Sequence, residues 1–347
     1  MVSVKDLQVQ FSVRNRILTA IRKISLDIYK GETIAIVGES GSGKSVFTKT
    51  LTGMLEENGR VSGGSIMYAG VDLAKFKTNR DWLEIRGKRI ATIFQDPMTS
   101  LNPLLHIGSQ IVEVIRKHRK LSKANAKKEA IRLLTKVGIK DAENRFNDYP
   151  FQYSGGMRQR VVIAIALACA PDILICDEPT TALDVTIQAQ ILDLINELKE
   201  EFGFTVIFIT HDLGVVAEVA DRVAVMYAGQ FVEFGTVNDI YYDPGHPYTW
   251  SLLSSLPQLG EKGETLYSIT GTPPSLFKDI KGDAFAPRNP YALEIDFVKE
   301  PPLFKVSETH YVKSWLCDPR APKIERPAII GEISERVRKI YAHKEGK

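Results

Sequence analysis

An α/β fold built around a phosphate-binding loop is what this sequence predicts, on three observations. Residues Gly38-Glu39-Ser40-Gly41-Ser42-Gly43-Lys44-Ser45 fit the pattern G-x-x-x-x-G-K-[ST]. They lie between a β-branched apolar run, Glu32 to Val37, and a helix-forming stretch from Val46 to Leu51, the strand–loop–helix order that the pattern requires. A second apolar run, Asp172 to Glu178, ends in two adjacent carboxylates.

The loop chemistry follows from residue type. Gly38, Gly41 and Gly43 let the backbone take positive φ, so that successive N–H groups of Glu39, Ser40 and Ser42 turn inward on an anion. The helix that follows, from Val46, adds its unsatisfied N-terminal N–H groups and the positive end of its dipole. Lys44 supplies a mobile cation for the β- and γ-phosphates of a nucleotide, and the Ser45 hydroxyl suits Mg²⁺.

Residues 1 to 36 alternate apolar and polar side chains (Leu7, Val9 and Phe11, then Ile21, Ile24, Leu26 and Ile28), which predicts an antiparallel sheet ahead of the loop. Gly63 to Gly70 reads as a turn and an edge strand, and Ile90 to Phe94 as a strand followed by Gln95. Ser109 to Val137 is helical and basic, a solvated face rather than a binding patch. Tyr153-Ser154-Gly155-Gly156-Met157-Arg158-Gln159-Arg160 precedes an apolar run, Val161 to Pro171, expected as a buried helix. A strand placed beside the loop would bring Asp177 to the Mg²⁺ shell and Glu178 to the attacking water; a solvated acidic turn is the alternative. Thr205 to Thr210 is a strand ending at His211, and Val223 to Glu233 a hairpin turning at Ala228-Gly229-Gln230.

Together, the loop, the Ser-Gly-Gly segment and Asp177-Glu178-Pro179-Thr180-Thr181-Ala182-Leu183-Asp184 resemble the ATP-binding cassette (ABC) family. The resemblance implies an ABC-type P-loop NTPase core with an antiparallel β subdomain and a helical subdomain. It implies that Gln95 touches the metal and the water, that His211 is the switch histidine holding Glu178 and the water in line, and that Asp184 belongs to the D-loop. Phe11 stands where the family puts an aromatic that stacks on adenine, although an aromatic in a strand also serves a core. Ser154, Gly155, Gly156 and Met157 would dock on the γ-phosphate held by an opposing cassette, so the resemblance implies a dimer with ATP at its interface. Met157 replaces the commoner Gln of the family.

Three further stretches narrow the resemblance: Asp96 to Pro103 after Gln95, Asp243-Pro244-Gly245-His246-Pro247-Tyr248-Thr249, and Gly271-Thr272-Pro273-Pro274-Ser275-Leu276. They are similar to the ATPase subunits of oligopeptide and dipeptide importers. That implies two membrane permease subunits, a paralogous ATPase subunit, an extracytoplasmic peptide-binding protein, and work at the cytoplasmic face of the membrane as a peripheral subunit. Many such subunits carry four C-terminal cysteines proposed to hold iron and sulfur. Here Asp283, Asn289, Asp296 and Ser314 stand in that frame, so no iron–sulfur cluster is expected.

Length and composition bound the reading. The 347 residues exceed one ordinary domain: a nucleotide-binding domain would take residues 1–245, with its helical subdomain at about 98–160, and a C-terminal extension 246–347. A net charge of +3 is too small to argue for nucleic acid. No apolar run approaches the roughly 20 residues that span a bilayer, no N-terminal signal is expected ahead of the first strand, and the three dispersed cysteines make neither a disulfide framework nor a zinc pattern. A nickel-importer ATPase, a soluble cassette protein acting on DNA or ribosomes, and a partner that binds ATP without hydrolysing it are the rival readings. Intact Lys44, Asp177, Glu178 and His211 argue against the last.

Overall fold

The computed structural model describes residues 1–181, 183–255, 269–327, 330–332 and 335; Ala182 of the D-loop stretch therefore lies outside the described residues. The chain divides into two compact units, one of residues 1–28, 34–75 and 210–347, the other of residues 29–33 and 76–209.

The first unit holds a four-stranded antiparallel sheet in the order β2-β1-β4-β5, from β1 (Val2–Val13), β2 (Arg16–Ile28), β4 (Gly59–Tyr68) and β5 (Val71–Asp72). The alternation along the sequence places Leu7, Val9, Ile21, Ile24 and Ile28 in its core. One expectation fails here. Gly63 and Gly64 are not a turn ahead of an edge strand; they sit inside β4, which pairs with both β1 and β5. The register shifts between the Lys5–Ser65 and Gln8–Gly63 pairs, opposite Asp6 at φ 46°. At Gly64, φ is +82° and a Cβ would lie 2.4 Å from the Asp6 carbonyl oxygen. The glycines serve a bulge, which sequence cannot distinguish from a turn.

In the same unit, β3 (Thr33–Val37) pairs in parallel with β9 (Arg222–Tyr227). β9 forms the expected hairpin with β10 (Gln230–Thr236), turning at Ala228 and Gly229, both at positive φ as a two-residue hairpin turn requires. Two short strands, β11 (Phe304–Lys305) and β12 (Tyr311–Val312), extend the sheet beyond β10. The core beneath these strands does not stop at residue 245. Val37, Val223, Val225 and Tyr227 share it with Tyr248, Trp250, Leu253 and Phe285. Glu233, fully buried in β10, is satisfied by N–H groups of Gly245 (2.6 Å) and His246 (3.0 Å), the Thr249 hydroxyl and His310 Nε2 (2.7 Å). A buried carboxylate with that many donors fastens the C-terminal residues to the hairpin.

The second unit contains the parallel strands β6 (Ile90–Ile93), β7 (Ile173–Asp177) and β8 (Thr205–Thr210), in the order β8-β7-β6. They are almost wholly buried, as continuous Val/Ile-rich runs in parallel sheets are. Eleven bounded α-helices are found among the described residues, besides short 3₁₀ turns. α1 (Lys44–Leu51) belongs to the first unit. The second unit holds α2 (Asn79–Trp82), α3 (Pro97–Ser100), α4 (Ile107–Arg119), α5 (Lys123–Lys136), α6 (Ala142–Arg145), α7 (Gly155–Leu167) and α8 (Val185–Phe202). The first unit adds α9 (Leu213–Val219), α10 (Val237–Tyr242) and α11 (Pro247–Ser254). The basic stretch is two helices: α4 ends at Lys120 with φ 53° and Ser122 caps α5. The run after Gly155-Gly156 is the buried helix α7, with Val161, Val162, Ile163 and Ala164 all in the core. No helix among the described residues is long and apolar enough to cross a membrane.

Candidate functional site

The phosphate loop occupies residues 38–43 between β3 and α1. Gly38, Gly41 and Gly43 all have positive φ (150°, 78° and 112°). Gly38 is obligatory for a second reason: a Cβ there would lie 2.1 Å from the Met226 carbonyl oxygen. Gly43 is the N-cap of α1 and offers no side-chain cap, and the first turn has no acidic residue. The N–H groups at the start of α1 therefore have no side-chain cap, the arrangement that receives an anion at a helix start. The loop is braced from behind, since Gly229 N–H donates to Ser42 O at 2.8 Å. Ser42 Oγ is buried without a protein partner, as a hydroxyl facing a ligand oxygen would be.

Lys44 is buried, and its Nζ donates to Gly38 O (2.7 Å) and Glu39 O (3.0 Å). Its ammonium thus lies within the concave side of the loop rather than in solvent. Ser40 and Ser45 are exposed, and Val46 is half-buried. Phe11 lies in the same unit as the loop. Its ring covers Gly59, where a Cβ would come within 2.5 Å of the ring edge, and only 9% of the residue is exposed. His211 follows β8 and is exposed, and Asp212 caps α9 by accepting from Gly214 N–H at 2.8 Å.

The other unit holds the carboxylates. Asp177 is the last residue of β7 and Glu178 is the first beyond it, at φ 48°. That left-handed turn costs a non-glycine residue about 1–2 kcal/mol, and is held by a Glu178 N–H bond to Ile209 O at 2.9 Å. The turn aims Glu178 away from Asp177's strand direction and towards Gln95. Gln95 Nε2 donates to Glu178 Oε2 at 3.0 Å, and Thr181 Oγ1 donates to the same oxygen at 3.1 Å. Two residues separated by 83 positions in sequence are thereby brought together, and neither this bond nor the Thr181 contact carries a sequence signal.

Ser154 caps α7 by accepting from Met157 N–H at 3.3 Å, so Gly155, Gly156 and Met157 form the exposed or half-exposed first turn of a long helix. A Cβ on Gly156 would come within 2.7 Å of Ile187 in α8, which ties the glycine to close helix packing. Asp184 is exposed and caps α8 by accepting from Ile187 N–H at 3.0 Å. Gln159, fully buried, joins α7 to the turn after β7 through a bond to Pro179 O at 2.8 Å.

The four frame positions of the C-terminal region are buried and each accepts a nearby backbone N–H. Asp283 takes that of Phe285 (3.0 Å), Asn289 that of Tyr291 (2.9 Å), Asp296 that of Leu293 (2.7 Å), and Ser314 that of Leu316 (3.3 Å). Local turns of this kind hold the backbone without a metal. The donor set is oxygen and amide, which does not fit an iron–sulfur cluster. Cys317, whose thiol is pushed up to about 11 chiefly by burial and then by Glu233, is not a thiolate at neutral pH.

Burial also pushes the Asp283 carboxyl up to about 6, against the Phe285 N–H bond and the Lys313 and Arg22 charges that pull it down; Glu300 adds to the rise. The folded state therefore favours protonated Asp283. Its stabilising contribution is full below the unfolded carboxylate range and is lost as pH rises through about 6. Ionised at pH 7.5, the group costs on the order of 3 kcal/mol. Asp283→Asn, which retains the acceptor for Phe285, is expected to raise the urea midpoint at pH 7.5 and to lose most of that gain at pH 4.5. An equal shift at both pH values would exclude the buried charge as the cause.

Residues 21–181 match the ABC transporter family, and residues 232–295 match the oligopeptide/dipeptide transporter C-terminal region. The oligopeptide transport ATP-binding protein AmiE of Streptococcus pneumoniae is 64% identical over 96% of this chain and 94% of its own length. The dipeptide transport ATP-binding protein DppD of Lactococcus lactis is 58% identical over 92% of each, and the oligopeptide transport ATP-binding protein OppD of Bacillus subtilis 56% over 95% and 92%. A dimeric post-hydrolysis state of the ATP-binding cassette MJ0796 bound to ADP and Pi superimposes with a TM-score of 0.61 at 29% identity, over 68% of this chain and 99% of that one. With identity sustained from the first sheet through the C-terminal region, the chain belongs to the ABC transporter family, in the group of oligopeptide and dipeptide transport ATP-binding proteins.

Proposed function

We propose that this protein is the ATP-hydrolysing subunit of an importer for oligopeptides or dipeptides, acting at the cytoplasmic face of the membrane. The observation that carries the peptide assignment is the match of residues 232–295 to the oligopeptide/dipeptide transporter C-terminal region. The peptide transport relatives named above favour peptides over nickel.

In this reading residues 1–245 form the nucleotide-binding domain, with the helical subdomain at about 98–160, and 246–347 the C-terminal extension. Gly38 to Val46 bind the triphosphate and Phe11 lies against the adenine. Ser45, Gln95 and Asp177 would hold Mg²⁺, which supplies charge neutralisation at the phosphates. Glu178 takes the proton of the attacking water, with Gln95 and His211 fixing its position. Ser154, Gly155, Gly156, Met157 and Asp184 meet the nucleotide held by a second cassette, by likeness to the dimeric ATP-binding cassette. The partners are two membrane permease subunits, a paralogous ATPase subunit and an extracytoplasmic peptide-binding protein. No iron–sulfur cluster and no nucleic acid belong to the scheme.

The deciding experiment measures uptake of labelled peptides and of nickel in a strain deleted for this chain. Loss of peptide uptake, restored by the intact chain, is the expected outcome. Loss of nickel uptake alone would replace the substrate assignment and leave the ATPase assignment standing.

A further inference from the structure

Glu39 places a carboxylate on a loop that receives a polyanion, an arrangement that is unfavourable unless the charge is neutralised. The structure supplies the neutralising group from 249 residues downstream. Arg288 grips Glu39 through two parallel bonds, Nη1 to Oε2 at 2.6 Å and Nη2 to Oε1 at 2.9 Å. The remaining donors of the guanidinium are also used: Nε donates to Thr270 O (2.9 Å), Nη1 to the Tyr227 hydroxyl (3.2 Å) and Nη2 to Ile269 O (3.4 Å). Only 4% of the Arg288 side chain is exposed. The Glu39 backbone is held as well. Its N–H donates to the Tyr248 hydroxyl at 2.8 Å, and its carbonyl accepts from Ser42 N–H at 3.2 Å and Lys44 Nζ at 3.0 Å. Tyr248 and Arg288 both lie beyond residue 245, and both act on this one residue of the phosphate loop.

We propose that Arg288 is a positioning residue for nucleotide binding: by neutralising and orienting Glu39 it keeps the phosphate loop receptive to anions, so the C-terminal region sets nucleotide affinity. A bidentate arginine–carboxylate pair shielded from solvent is the geometry in which such control is strong. Lysine could not reproduce it, because one ammonium cannot match both carboxylate oxygens while also reaching Thr270 and Tyr227. Were Arg288 only a staple for the C-terminal residues, its loss would act on stability without regard to ligand charge. Through Glu39, the effect must instead scale with the charge of the nucleotide.

This inference rests on the reading of residues 38–45 as the phosphate loop, and the test separates the two. Fluorescently labelled ATP and ADP are titrated into the full chain and its variants at low and high salt, with circular dichroism and melting curves recorded for each. Arg288→Gln is expected to weaken ATP roughly tenfold and ADP roughly threefold, with both penalties shrinking as salt screens the partly buried Glu39. Adding Glu39→Gln to that variant is expected to recover most of the ATP affinity, and Glu39→Gln alone to tighten ATP severalfold. Unchanged ATP affinity in Arg288→Gln, equal losses for ATP and ADP, or a double variant no better than the single one would each overturn the proposal. Should Arg288→Gln not fold, a loss of ATP affinity in Glu39→Gln alone would overturn it equally. Lys44→Ala serves as the reference: if that variant binds ATP normally, the loop reading itself fails, and this inference falls with it for a separate reason.

Discussion

Glu178→Gln is expected to reduce ATP turnover by roughly a hundredfold or more while leaving ATP binding intact, the loss typical of removing a positioned general base. The substitution is nearly isosteric, and an amide oxygen can still accept from Gln95 Nε2 and Thr181 Oγ1, the two donors that hold the native carboxylate. What disappears is the basic oxygen. The backbone at residue 178, with φ 48°, is a strained conformation maintained by the Ile209 carbonyl and by these side-chain bonds, and glutamine inherits the same constraint. Binding and closure should therefore survive, and an ATP-stabilised dimer should accumulate, visible in size-exclusion chromatography as an ATP-dependent shift. Turnover close to that of the native protein would place the base elsewhere.

Lys44→Ala should lower ATP affinity by roughly a hundredfold or more, the combined loss of a charge-assisted phosphate bond and of the loop's internal brace. The native ammonium bridges Gly38 O and Glu39 O across the loop, so it both supplies charge and closes the curve of the backbone. Alanine provides neither. Calorimetric titration with ATP measures the effect, and an unaltered melting temperature without nucleotide would localise it to the loop. Affinity within a fewfold of native would refute the loop's assignment.

Much of the architecture was legible because it rests on consecutive residues. The β-branched runs before Gly38, before Glu178 and before His211 became β3, β7 and β8, since a buried parallel strand needs only an unbroken apolar stretch. Ala228-Gly229 became a hairpin turn because two residues at positive φ are a local requirement. Gly63-Gly64 misled for the converse reason. Glycine reports that the backbone departs from ordinary geometry, and only the register shift opposite Asp6 on β1 decides that the departure is a bulge within a strand.

By itself, the sequence determined the loop, the acids, the Ser-Gly-Gly segment and the family, because each is written in side chains a few positions apart. Tertiary structure alone decided which distant groups meet. Nothing in residues 246–347 announces that Tyr248, Trp250 and Phe285 complete the core under β3, or that Glu233 is the buried anchor for His246 and His310. Nor does any pattern pair Arg288 with Glu39. Hydrophobic periodicity is a property of neighbours along the chain, whereas a buried ion pair across 249 residues exists only once packing has excluded water and oriented both partners.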